Sequence, residues 1–150
     1  MIVPHQESED LMEFLARAKF RELIFLFLYS LDISDDQEID HLIDTLADQV
    51  KVSKKHLKEA AKVVGDVLTL KKEIDGMIAQ TSTEYAVDRI LSVEMNILRL
   101  AVYEIMKQLA PHPVVISEAI RLARKFSTPE SGKFINAVLD HFSKGLLVAH

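Results

Sequence analysis

The chain has 150 residues, a formal net charge of −5 and an apolar fraction of 49%, which together predict one globular domain rather than a disordered chain. The absence of cysteine excludes disulfides, iron–sulfur clusters, thiolate zinc sites and a cysteine nucleophile. The longest purely apolar run, residues 23–28, is far shorter than the roughly 20 residues that cross a bilayer. Because the N-terminus also lacks the features of a signal peptide, we expect a soluble, cytoplasmic protein.

Charge is distributed unevenly along the chain. Residues 1–50 carry three basic and twelve acidic side chains, whereas residues 51–100 and 101–150 each have a net charge of +2. An acidic protein has no long-range attraction to phosphate, so nucleic-acid binding would need a local basic patch or a helper protein.

The first half of the chain shows helical patterns. Residues 10–31 contain no glycine or proline. The apolar run 23–28 has the composition of a strand, but its continuity with a helical pattern favours a buried helix end. Ser34 with Gln37 forms a capping-box signal before a second helix, which carries apolar residues from Ile39 to Val50.

A long third helix is predicted next, capped by Ser53 and carrying an apolar stripe from Leu57 to Ile78. Its weak points are Gly65 and Gly76, since glycine disfavours helix. Thr81 with Glu84 then predicts the start of a fourth helix by the capping-box pattern.

Residues 87–109 carry two apolar stripes, which predicts a central helix surrounded by the others. Pro111 and Pro113 are expected to end it, before a short helix over 114–126.

The last helix is predicted to start at Thr128 as N-cap and Pro129 as first helical residue, with Ser127 and Glu130 as a second capping signal. Gly145 suits its C-terminal end. The sum is six or seven helices and no sheet, so we predict an all-α fold.

No residue pattern indicates catalysis, a cofactor or a metal site. Glu38 and His41 form the only Glu-x-x-His pair, whereas a di-iron bundle needs two such pairs and two further glutamates. Gly-rich phosphate loops, His-Glu-x-x-His and Gly-x-Ser-x-Gly are all missing from the sequence. A helical domain without a convergent polar set favours a binding module over an enzyme.

Glu94 and Arg99 interrupt the apolar stripes of the central helix. One interpretation is structural: Arg99 is partly buried and held by a carboxylate from another helix. The other is functional: the two residues order a partner-binding surface.

Three blocks of the C-terminal half, residues 93–105, 115–126 and 131–140, resemble the signature segments of the NusB family in order and spacing. On the N-terminal side, Arg21-Glu22 followed by Leu28-Tyr29 is similar to the first helix of the family. Residues 32–88 match only in their helical character.

The resemblance implies two small helical bundles packed around the central helix, with an N-terminal subdomain of about residues 1–80 and a C-terminal subdomain of about 81–150. It also implies a non-enzymatic role in transcription antitermination. Members of the family pair with NusE, a protein of the small ribosomal subunit, and bind boxA RNA of ribosomal RNA leaders. Antitermination complexes form on RNA polymerase around that contact.

Three basic residues match the arginine-rich first segment of the family, where they would neutralise phosphates: Arg17, Lys19 and Arg21. At about 100° per residue, Arg17 and Arg21 share one helix face while Lys19 points nearly opposite. The alternative is ordinary solvated charge.

Five further positions match the RNA surface of the family: Tyr29, Phe126, Glu130, Lys133 and Phe134. Aromatic rings there could stack on unpaired bases, whereas Glu130 would oppose phosphate and temper affinity. Aromatic residues on helix faces are alternatively core residues.

The sequence departs from the family pattern in two ways. Its N-terminal segment is diluted by acidic residues, and residues 24–27 are bulkier than usual. The second departure suggests an extra apolar contact, such as a homodimer that hides the RNA surface. The alternative function is therefore a self-associating protein-interaction module with little RNA affinity. The N-terminal domain of RNA cytosine methyltransferases resembles the same fold, but no glycine-rich loop of the methyltransferase type follows.

Overall fold

The computed structural model describes residues 5–34, 39–49, 52–81 and 89–149, which form seven helices and contain no strand. The helices are α1 (His5–Ile33), α2 (Ile39–Gln49), α3 (Lys54–Thr69), α4 (Lys71–Thr81), α5 (Ser92–Met106), α6 (His112–Phe126) and α7 (Pro129–Ala149). The predicted all-α class is confirmed. Within these ranges, no helix is both long and apolar enough to span a bilayer.

Helix α5 forms the centre of the fold, as its two apolar stripes predict. Residues 94–105 of this helix are all buried, and α1, α3, α4, α6 and α7 pack around it. The apolar run of α1 is helical and faces this core, with Phe25 and Phe27 almost fully buried. The apolar core is one continuous cluster to which all seven helices contribute.

The predicted third helix is two helices. Ser53 caps α3 as predicted, since its hydroxyl oxygen accepts a hydrogen bond from the backbone N–H of His56 at 3.3 Å. The break falls at Leu70, not at either glycine, and the expectation of one continuous helix is wrong. The backbone of Leu70 turns to φ −97° and ψ 6°, which redirects the chain so that α4 buries Ile74 and Ile78 in the core.

Thr81 is the last residue of α4 that the structure describes. Its hydroxyl donates to the backbone carbonyl of Met77 at 2.9 Å, a contact within α4, and the helix predicted to follow it falls outside the described residues. Glu84 lies outside the described residues, as does Gln37 of the first capping-box signal.

The central helix ends before the prolines that were expected to stop it. Gln108 adopts a left-handed conformation, with φ 54°, and the N–H of Leu109 donates to the carbonyl of Glu104 at 3.0 Å. Pro111 and Pro113 instead open α6, as its N-cap and a first-turn residue.

The start of α7 is as predicted, but its end is not. The Thr128 hydroxyl accepts from the N–H of Ser131 at 3.1 Å. The hydroxyl of Ser127 pairs with that of Ser131 at 2.9 Å, in place of the predicted contact with Glu130. Helix α7 continues through Gly145 to residue 149, because that glycine keeps helical backbone angles.

Candidate nucleic-acid interface

The three basic residues of α1 lie on two different sides of the helix, as helix geometry predicts. Arg17 is exposed and lines a small cavity of about 170 Å³ together with Arg21. Lys19 points the other way, with its ammonium 3.9 Å from the carboxylate of Glu22. A single RNA strand therefore does not meet all three side chains on one helix face.

Arg21 is an interior residue. Its Nε donates to Glu104 Oε1 at 2.9 Å, and its Nη1 donates to Glu118 Oε1 at 3.3 Å. Its side chain is only 10% exposed. This position gives Arg21 a structural role and leaves its predicted phosphate contact without an accessible guanidinium.

Two carboxylates share the single guanidinium of Arg21. Burial raises the pKa of Glu104 above its usual value, the Arg21 charge and hydrogen bond offset only part of that effect, and the nearby charge of Glu118 adds to it. The core thus holds a charged cluster in which Glu104 depends on Arg21 for its compensation, while Glu118 also accepts from Arg121.

Glu22, next to Arg21 on α1, binds two cations of α6. Its Oε1 accepts from Arg121 Nη1 at 2.8 Å, and its Oε2 accepts from Lys125 Nζ at 3.0 Å. Burial alone would raise the pKa of Glu22, but the hydrogen bonds from Arg121 and Lys125, with their charges, hold it below its usual value.

Arg121 and Lys125 were not among the site residues predicted from the sequence. Their spacing of four residues on α6 places them on one helix face, and this is the only sequence signal that pointed to them. They lie close to Lys19 and Glu22 only because α6 packs against α1, and this packing cannot be read from the sequence.

An aromatic row continues this surface. The ring of buried Phe25 stacks on Tyr29 at 5.9 Å between centroids and contacts Phe126 at 5.0 Å. Tyr29 and Phe126 are both partly buried, so each packs one side on the core and leaves the rest to solvent. Lys125 Nζ lies 5.7 Å from the centroid of Phe126. We call Lys19, Lys125, Phe126 and Tyr29 the α1–α6 surface.

The remaining predicted RNA residues lie around the starts of α5 and α7. Phe134, Glu130 and Glu94 line a cavity of about 360 Å³ that also includes Arg89, and Lys133 is exposed on α7 beside Phe134. Apart from Arg17 and Arg21, the predicted RNA residues thus form two groups, one on the α1–α6 surface and one at the start of α7.

Glu94 and Arg99 hold helix α5 in place. Glu94 Oε1 accepts from the N–H of Leu91 at 3.2 Å and caps the helix. Arg99 is 7% exposed, and its Nε and Nη2 donate to the two carboxylate oxygens of Asp75 at 2.8 and 3.1 Å. A carboxylate from another helix holds Arg99, as the structural interpretation predicts. The predicted partner contact would have to reach a buried guanidinium.

The described part of the chain contains no group of three or more His, Cys, Asp or Glu side chains that could hold a metal ion. His41 is exposed on α2, and its predicted neighbour in the pattern, Glu38, lies outside the described residues.

Known proteins match this chain in both sequence and fold. The model of the NusB family matches residues 18–144. The transcription antitermination protein NusB of Anaeromyxobacter sp. (strain Fw109-5) is 35% identical over 132 residues, which cover 88% of this chain and 92% of that protein.

Two solved structures share the fold. T. maritima NusB has a TM-score of 0.72 and 29% identity, covering 85% of this chain and 90% of that chain. A crystal structure of the antitermination factors NusB and NusE in complex with dsRNA has a TM-score of 0.73 and 28% identity, covering 86% and 96%. The family match over most of the sequence, on the same all-helical fold, shows that this chain belongs to the NusB family.

Proposed function

We propose that this chain is a transcription antitermination factor that binds boxA-type single-stranded leader RNA together with NusE. In this role it helps to assemble antitermination complexes on RNA polymerase at ribosomal RNA operons. It acts in the cytoplasm as a binding protein without catalytic activity. The relatives named above support the role, since one is a transcription antitermination protein and another is a NusB bound to NusE and dsRNA.

The α1–α6 surface is the observation that carries this proposal. It places the ammonium of Lys125 5.7 Å from the centroid of the partly buried Phe126 ring, with Lys19 facing the same Glu22 carboxylate as Lys125 and Tyr29 packed on the same Phe25 ring as Phe126. Proteins that bind single-stranded RNA combine cations for the backbone with aromatic rings on which bases stack. Because the net charge of the whole chain is −5, a partner such as NusE would supply the affinity that long-range attraction does not.

The test is a titration of labelled boxA-like single-stranded RNA, with and without NusE, followed by fluorescence anisotropy. We expect NusE to increase the affinity for the boxA-like RNA more than the affinity for a scrambled RNA of the same length and composition. An equal gain for both RNAs, or no gain, would overturn the proposed role.

The structure gives no specific support to the self-associating module. That alternative rested on the bulky residues at the end of α1. Phe25 and Phe27 are 1% and 0% exposed, so both rings are used within the core of their own chain and do not form a surface for a second copy.

A further inference from the structure

Lys19 and Lys125 converge on one atom. The ammonium groups of both residues face Glu22 Oε2, at 3.9 and 3.0 Å. Two flexible side chains from different helices are thus held beside the same carboxylate oxygen. Holding them there in advance lowers the entropy cost of binding an anion between them.

In this region the acidic side chains are buried and the two lysine side chains are exposed. The carboxylates of Glu22, Glu104 and Glu118 are between 6% and 11% exposed, whereas the side chains of Lys19 and Lys125 are 55% and 51% exposed. The negative groups lie beneath the surface and the positive groups lie on it. An approaching anion therefore meets the two ammonium groups first.

Arg121 completes the arrangement from below. Its Nε, Nη1 and Nη2 donate to Glu118, Glu22 and the backbone carbonyl of Ala18. With these partners taken, Arg121 fastens α6 to α1, and Lys19 and Lys125 keep donor capacity, since an ammonium has three hydrogens.

The aromatic row fixes where a nucleotide would lie. Lys125 Nζ is 5.7 Å from the centroid of the Phe126 ring. A base that stacks on the exposed part of this ring would bring its own backbone close to the ammonium groups of Lys125 and Lys19. Stacking platforms flanked by cations are the usual arrangement for single strands.

We infer that Lys19 and Lys125 form a phosphate-binding pair for the RNA backbone, held in place by Glu22. This inference rests on the proposed function and adds Lys125 to the binding residues. Phosphate contacts carry affinity without sequence information, so loss of either lysine should weaken boxA-like and scrambled RNA alike.

The experiment measures RNA affinity against salt concentration for wild type, Lys19→Gln and Lys125→Gln, each with NusE present. For a single strand, each lost phosphate contact reduces the slope of log K against log salt by about 0.7, which is about fivefold in affinity at 100 mM salt. We expect this loss in both variants and for both RNAs. Lys125→Arg keeps the charge and should keep the slope.

Lys144→Gln is the matched control, because it removes the same charge from an exposed lysine that pairs with Asp140 on α7. Its slope should equal that of wild type. Circular dichroism melting of each variant separates loss of binding from loss of fold.

The outcomes separate the two proposals. Unchanged slopes in both glutamine variants, with boxA preference intact, would refute the phosphate pair and leave the proposed function standing. Reduced slopes in both glutamine variants, together with no preference of wild type for boxA-like RNA, would support the phosphate pair and overturn the proposed function. Failure of wild type to bind either RNA would overturn both.

Discussion

Arg21 shows how one residue decides between a binding role and a structural role. The family resemblance assigns it to RNA, but its guanidinium lies between Glu104 and Glu118 in the interior. Removing one partner of a buried ion pair leaves uncompensated charge, which costs far more than losing a surface pair.

We therefore predict that Arg21→Gln lowers the free energy of unfolding by about 3–5 kcal/mol, measured by urea denaturation at pH 7. Arg17→Gln on the exposed side of the same helix should stay within about 0.5 kcal/mol of wild type. The double variant Arg21→Gln with Glu104→Gln should recover part of the loss, because it removes the carboxylate left without its guanidinium, whereas Glu118 still accepts from Arg121. A fully stable Arg21→Gln protein would show that Arg21 has no interior role.

The contacts between elements give Glu22 its importance. It lies on α1, accepts from two cations on α6, and thereby ties the first helix to the sixth. Its pKa is below the usual value of 4.5. A carboxyl group whose folded pKa is lowered stabilises the fold fully above its unfolded pKa, and that contribution disappears as the pH falls through the folded pKa.

Glu22→Gln should accordingly lose about 1 kcal/mol at pH 7, a modest value because Arg121 and Lys125 retain access to water. The difference from wild type should shrink once the pH falls below 4.5. Because the pKa of Glu104 is raised, its contribution to stability depends on pH in the opposite direction. Glu104 is present in both proteins, so this contribution cancels when they are compared. Urea denaturation between pH 3 and 7, roughly the range over which carboxyl groups titrate, measures this. A difference that stays constant with pH would contradict it.

Asp140→Asn is the control for this series. Asp140 pairs with Lys144 through exposed side chains on α7, and exposed pairs contribute little to stability. The variant should therefore match wild type at every pH.

Element boundaries show where sequence patterns stop being informative. Ser53 and Thr128 were found because a cap depends on residues within one turn. The break at Leu70 and the left-handed Gln108 carry neither glycine nor proline. Both are set by how the following helix reaches the core, so tertiary packing decides them.

The candidate site follows the same rule. Tyr29, Phe126 and Lys19 could be proposed from short matching segments of the sequence. Lys125 could not, since it becomes part of the site only when α6 packs on α1 and Glu22 accepts from it.

At the scale of the whole molecule, contacts between the N-terminal and C-terminal halves of the chain hold the fold together. The two predicted subdomains, about 1–80 and 81–150, are joined by α1 packing on α5 and by the ion pair of Arg21 with Glu104. All seven helices contribute to one apolar cluster. A core shared in this way couples the two halves energetically.

We predict that the chain unfolds in a single cooperative transition. Leu57 on α3 and Leu139 on α7 are each fully buried, one in either half. Leu57→Ala and Leu139→Ala should each cost about 2–5 kcal/mol, as buried leucine truncations do. Because the halves share a core, each variant should speed hydrogen exchange in peptides of both α3 and α7 to the same extent. Exchange that rises only in the mutated half would mean that the two subdomains unfold independently, and the tie through α1 and α5 would then be too weak to make them one unit.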